Sequence, residues 1–188
     1  VLALGIGGNY YLTKKENPNN PQQNNPQNQN PANPDTQQGA ITDPLVPSTQ
    51  AEKDLRAQIL VIVGKSNAGQ KQEALTEYLA LEKTNPTDLM LLNNIASTYS
   101  DLSNWAKSVE YYKKVIAAYP QYTPAYRMLG YIYWYHLGNN ETQIKTLFDV
   151  GLQITNNNPD LASWMVGYYA DQPDKAAPYA AIVAGAKK

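Results

Sequence analysis

Few side chains in this sequence could carry acid–base, nucleophilic or metal chemistry. His136 is the only histidine among 188 residues and cysteine is absent. No His pair can therefore hold a metal, and no Cys–His dyad or disulfide can form. His136 stands at the end of an apolar stretch of helical period, where a histidine suits the helix dipole. Carboxylates are scattered singly, and Gly5, Gly7 and Gly8 lack the following helix that a phosphate-cradling loop needs. The expectation is a non-enzymatic protein with no catalytic residue, no metal and no cofactor. Asn140-Glu141-Thr142 is an N-glycosylation sequon in a predicted loop, so Asn140 is a glycosylation candidate if a glycosylating host secretes the chain. The same asparagine also suits the N-cap of the helix that follows.

The elements that would position these residues are amphipathic helices. In the stretch 89–120, Leu92, Ile95, Ala96 and Tyr99 form an apolar stripe at helical spacing, and Ser103 and Asn104 interrupt it. A second stripe follows with Val109, Tyr112, Val115 and Ile116, and it stops before Pro120, which cannot continue a helix. Neighbouring stretches copy this unit. Pro86 precedes Pro120 by one period, and Ala74-x3-Tyr78 matches Ser108-x3-Tyr112. Tyr126, Leu129, Gly130 and Tyr133 repeat the first stripe, with Ile144-x3-Phe148 as its partner before Pro159. That last spacing is longer, which places inserted residues around Gly138–Asn140 and Asn156–Asn158. A final partial unit is assigned to Val166, Gly167 and Ala170, followed by an Ala-rich helix over 174–187.

This pattern resembles the tetratricopeptide repeat, whose consensus is Trp-x2-Leu-Gly-x2-Tyr, then Ala-x3-Phe, then Pro, over about 34 residues. Leu92, Ile95, Ala96, Tyr99, Ser108, Tyr112 and Pro120 occupy those slots. Gln58 and Lys65 depart from it in the first unit, as a terminal unit facing solvent allows. The resemblance implies an all-α fold, a helical-hairpin repeat solenoid of about four units in a right-handed superhelix, whose first helices line a concave groove. Residues of those helices not spent on packing would face it: Asn93, Ser97 and Ser100, then Arg127, Tyr131, Trp134 and Tyr135, then Trp164 and Tyr168. Trp164 could equally pack against the last helix. Family members that grip a peptide carboxylate use several cations and asparagines, and here only Asn93 and Arg127 match. An aromatic, nearly neutral trough suits an apolar or Pro-rich extended segment better.

Composition sets the remaining bounds. The net charge is −1 and the 15 Lys and Arg are dispersed, which gives no basic stripe for nucleic acid. Fifteen Tyr against one Phe is a strong bias toward surfaces that are apolar yet partly wet. Three regions follow: an apolar segment 1–12, a linker 13–48 and the repeat domain 49–188. The linker holds fourteen Asn or Gln and five Pro within 17–38, too little apolar surface to offset ordering entropy. Its neutrality suggests an extracellular or cell-surface setting. Thr49 and Glu52 form a capping-box signature at the start of the repeats. The segment 1–12 opens at Val1 rather than Met, as a processed chain would. It is too short to span a bilayer. It is the remnant of a membrane anchor, a helical stub with Ala3 and Gly7 on one face, or an extended tail with Leu2, Leu4 and Ile6 on one face. Membrane contact is expected only through such an anchor, lost or processed.

Two partner readings result. In the first, Val1, Leu2, Leu4 and Ile6 of one copy pack on the repeats of another, making a homopolymer, the structural subunit of an extracellular fibre. In the second, a membrane-tethered adaptor presents the groove to an extended peptide of another protein.

Overall fold

The computed structural model describes residues 46–186. The expectations for Val1–Leu12 and for the Asn/Gln/Pro-rich stretch fall outside the described residues. Within them the elements are all α-helical: α1 (Gln50–Asn67), α2 (Lys71–Glu82), α3 (Leu89–Asp101), α4 (Trp105–Ala118), α5 (Thr123–Tyr135), α6 (Glu141–Ile154), α7 (Pro159–Tyr168) and α8 (Pro173–Gly185). No strand occurs among the described residues. They pair as four hairpins, α1–α2 through α7–α8, each helix packing on the next, in a helical-hairpin repeat solenoid.

Local chemistry starts and stops these helices. The expected capping box forms at α1. The Glu52 amide donates to Thr49 Oγ1 at 3.2 Å, and the Thr49 amide donates to the Glu52 carboxylate at 2.8 Å. Asp88, Asn104, Asn140 and Asn158 accept from first-turn amides of α3, α4, α6 and α7. Each satisfies one of the N–H groups that a helix start leaves unpaired, and Asn158 satisfies two. For Asn140 the acceptor role is seen directly, with the Gln143 amide at 3.0 Å. The hairpin from α5 to α6 turns through Gly138 and Asn139 at φ +82° and +51°, a left-handed region that Gly and Asn enter most readily.

The stripes expected from the sequence are largely buried, although Val109 and Ile116 on α4 are only half-buried. Leu92, Ile95 and Ala96 on α3, and Tyr126, Leu129, Gly130 and Tyr133 on α5, lie inside with their partners Ala74, Tyr78, Ser108, Tyr112, Ile144 and Phe148. Tyr99 is only half-buried, its ring 5.5 Å from that of Tyr111. The last unit differs by register. Its buried row is Leu161, Ala162, Met165 and Tyr169, whereas Gly167 and Ala170 are exposed. Asn156 and Asn157, both left-handed, reverse the chain so tightly that Pro159 opens α7 instead of closing the preceding unit. No spacer separates the proline from the new helix, and the stripe starts earlier than a regular repeat would place it.

Two pairs of first helices also meet. α1 packs on α3 and α5 on α7, while no pair of second helices packs to the same extent. The side carrying α1, α3, α5 and α7 is therefore the more closely packed side at both ends of the stack. At α5 the approach is close enough to require glycine. A Cβ on Gly130 would sit 2.5 Å from the Phe148 ring and 3.2 Å from the tip of Trp164, well inside van der Waals contact.

Candidate interaction surface

Helix α5 spends Ala125, Tyr126, Leu129, Gly130, Ile132 and Tyr133 on the core. The leftover face carries Arg127, Tyr131, Trp134 and Tyr135. Three of these four are rings, and they touch. Tyr131 and Tyr135 lie 4.8 Å apart between centroids, and Tyr135 and Trp134 lie 4.6 Å apart. Trp134 extends the row to α7, meeting Tyr168 edge-on at 5.0 Å and Trp164 at 5.6 Å. Edge-to-face rings at such distances gain electrostatic attraction beyond their area. Tyr135 is 56% exposed, and Tyr131, Trp134 and Tyr168 are half-buried.

Trp164 packs against α5 and α6 rather than against the last helix, the alternative to a groove position. Its ring stacks on Phe148 at 4.3 Å and 12° and sits over the gap that Gly130 leaves. It is chiefly a packing residue whose edge borders the row. Tyr168 is held by its hydroxyl, which donates to Asn139 Oδ1 at 2.7 Å. Burial, with the nearby Glu141 carboxylate second, raises the pKa of the Tyr168 phenol above its usual range, so it stays a donor at neutral pH.

Asn93 is half-buried on α3 and Arg127 is exposed on α5. Among the described residues, neither is held by a hydrogen bond or ion pair. Ser97 is half-buried with the same freedom. Ser100 turns away to α4, its hydroxyl 2.6 Å from that of Ser108. The structure thus gathers Tyr131, Trp134, Tyr135, Trp164 and Tyr168, and leaves Asn93 and Arg127 outside the ring contacts.

Two residues not expected in the row extend it. His136 caps α5 through its backbone amide, and its ring stacks on that of Trp105, the first residue of α4, at 3.6 Å and 9°. It also meets Tyr131 edge-on at 5.5 Å. Six rings from three helices therefore run without a break from Trp105 through His136, Tyr131, Tyr135 and Trp134 to Tyr168. The one available signal was positional: Trp105 begins a helix and His136 ends the next, which brings both to the same end of the layer.

A cleft of about 740 Å³ opens between α6 and α8. Its two carboxylates are each held twice. Glu141 accepts from Lys175 and from Tyr169 Oη, and Asp149 accepts from Lys145 and from Tyr179 Oη. Burial, then Glu141, pushes the Tyr169 phenol up to about 12. These groups are structural clasps rather than an acid–base pair. No group of three or more His, Asp or Glu that could hold a metal occurs among the described residues, and no described helix is long and apolar enough to cross a membrane.

Comparison with solved structures reaches the same architecture. The crystal structure of MamA protein matches with a TM-score of 0.55 at 17% identity, covering 70% of this chain and 72% of that one. The fold is a tetratricopeptide-like helical repeat. A MamA RS-1 ArsTM double mutant gives 0.51 at 17% identity over 70% and 74% of the two chains. The first TPR of Spaghetti (RPAP3), bound to the HSP90 peptide SRMEEVD, is a weaker likeness, with a TM-score of 0.46 at 20% identity over 68% and 94%. No family model matches the sequence, and no curated protein matches it either.

Proposed function

We propose that this chain is a non-enzymatic protein–protein interaction module whose inner face receives an extended, uncharged peptide segment. One observation carries the reading. The outward face of α5 continues into α7 as rings that contact one another, with Arg127 as its only formal charge. Aromatic side chains supply large contact area at low entropic cost, and interfaces favour them.

The partner is a second copy of the chain, whose apolar tail packs on a stacking face of these repeats, and the assembly is a fibre outside the cytoplasm. Support comes from the apolar run Val1–Leu12, with Val1, Leu2, Leu4 and Ile6 as its large side chains. Left in water, it would form a continuous apolar patch of the kind soluble monomers avoid. Each such side chain contributes roughly 1.5–3 kcal/mol when buried, against about 1–2 kcal/mol per residue for ordering the backbone. One seated tail is therefore weakly held, and many neighbours are needed. Head-to-tail exchange that does not close on itself extends indefinitely.

The test is deletion of Val1–Leu12 with the linker retained, followed by size-exclusion chromatography and negative-stain microscopy. Loss of oligomers and fibres is expected. Assemblies unchanged by the deletion would overturn the tail as connector, and a chain that is monomeric with or without the tail would leave the groove for a peptide of another protein, presented by a membrane-tethered adaptor.

A further inference from the structure

The ring row has two unused resources. Ring faces and edges are exposed along α5, and the indole N–H groups of Trp105 and Trp134 and the hydroxyls of Tyr131 and Tyr135 make no hydrogen bond among the described residues. Each is a donor on an apolar body. The chain that such a surface fits best is one with ring-shaped apolar side groups and unpaired backbone carbonyls. A polyproline II strand has both, because it makes no internal hydrogen bonds and its backbone remains open to outside donors. Arg127 is the single formal charge on the outward face of α5, so a strongly acidic or basic peptide would find little to pair with.

We infer that the row from Trp105 to Tyr168 binds proline-rich polyproline II segments, and that its occupant is residues 17–34 of a second copy. This rests on the reading that the module takes a segment of another copy. The stretch reads NPNNPQQNNPQNQNPANP and carries no charge, as the row requires. Pro18 and Pro21 stand three residues apart, and so do Pro31 and Pro34. With three residues per turn, each pair lines one edge of the helix about 9 Å apart. On the row, the two steps from Tyr135 to Trp134 and on to Tyr168 are 4.6 and 5.0 Å, so a pair of prolines straddles one ring.

The spacing of the two pairs favours bridging. Thirteen residues separate Pro18 from Pro31, about 40 Å in this conformation. Six rings with neighbouring centroids no more than 5.5 Å apart cannot extend that far. Both pairs therefore cannot occupy one row, and each segment offers two binding edges to two rows. Each such contact is weak alone, so it adds to the hold of the tail on neighbouring copies rather than replacing it.

The test uses the full chain with Pro18, Pro21, Pro26, Pro31 and Pro34 replaced by Ser, so that it cannot occupy its own rows. A synthetic peptide of residues 17–34 is titrated while tryptophan fluorescence is followed. Saturable binding is expected, weakened about tenfold or more by Trp134→Ala in the receptor. Circular dichroism confirms that this variant folds, and Trp134→Phe, which keeps a ring but loses the N–H, should fall between. A peptide with the same asparagines and glutamines but Ser at all five prolines should not bind. Equal binding of that peptide, or equal binding to the Trp134→Ala receptor, would overturn the inference, as would no binding of the parent peptide. The two readings fail separately: peptide binding does not need Val1–Leu12, so an assembly defect on tail deletion leaves the peptide result unchanged.

Discussion

Helices α3 and α5 occupy equivalent places in consecutive hairpins, and corresponding residues stand one 34-residue period apart. Inward, Leu92, Ile95 and Ala96 answer to Tyr126, Leu129 and Gly130, and all are buried. Outward, Asn93, Ser97, Ser100 and Asp101 answer to Arg127, Tyr131, Trp134 and Tyr135. The scaffold is held constant while the outer face changes from small and polar to aromatic. Their small residues also differ in kind. Ala96 faces Ser108, whose hydroxyl donates to the Ala96 carbonyl at 2.9 Å, and the contact is a polar clasp. Gly130 faces Phe148 and Trp164, and the contact is a ring pressed into a missing side chain. The repeat thus fixes where helices meet and leaves each hairpin to choose polar satisfaction or aromatic packing.

That contrast can be broken most severely at Phe148. Phe148→Ala removes the ring beneath Gly130 and Trp164 together, and should cost about 3–5 kcal/mol in denaturant unfolding. A cost near that of an exposed substitution would show that α5, α6 and α7 do not share this contact. Next is Gly130→Leu, expected to cost on the order of 1–3 kcal/mol by overpacking. At the equivalent place Ala96→Gly should cost only about 0.5–1 kcal/mol, from helix propensity. An unchanged melting curve for Gly130→Leu would place Gly130 outside the tight approach.

Smaller still is Ser108→Ala, which removes the clasp from the other hairpin. The Ser108 hydroxyl's bonds to the Ala96 carbonyl and to Ser100 both go, and because half-buried Ser100 can turn to water the net loss should stay at about 0.5–1.5 kcal/mol. A neutral result would mean that Ser108 matters for its size alone. The smallest effect concerns a terminal cap rather than either hairpin. The Thr49 and Ser48 amides and the Ser48 hydroxyl lower the Glu52 carboxyl from 4.5 to about 2. A lowered acid stabilises the fold above its unfolded value and ceases to do so as pH falls. The cap at α1 should therefore be intact above about pH 4.5 and weaken toward pH 2. A carboxyl chemical-shift titration of Glu52 reads this directly, and a midpoint near 4.5 would show the cap to be open.

Much of this architecture is written locally. Helical stripes, the 34-residue period, Thr49–Glu52 and the asparagines at helix starts can be identified in the sequence, because each depends on neighbours within one or two turns. So could the outward aromatics of α5, since a residue not in the buried stripe must lie on the remaining face. Three matters could not be decided that way. The register of α7 depends on Asn156 and Asn157 adopting left-handed conformations, which many asparagines do not. Trp164 was balanced between core and surface until the absent Cβ of Gly130, on another helix, gave its ring a place to lie. Trp105 and His136 belong to different helices and meet only because consecutive hairpins stack with those two ends together. Residue type and spacing determine which faces are apolar. Which apolar faces then meet, and which remain open to a partner, is decided only when the hairpins pack, because close packing depends on shapes contributed from distant parts of the chain.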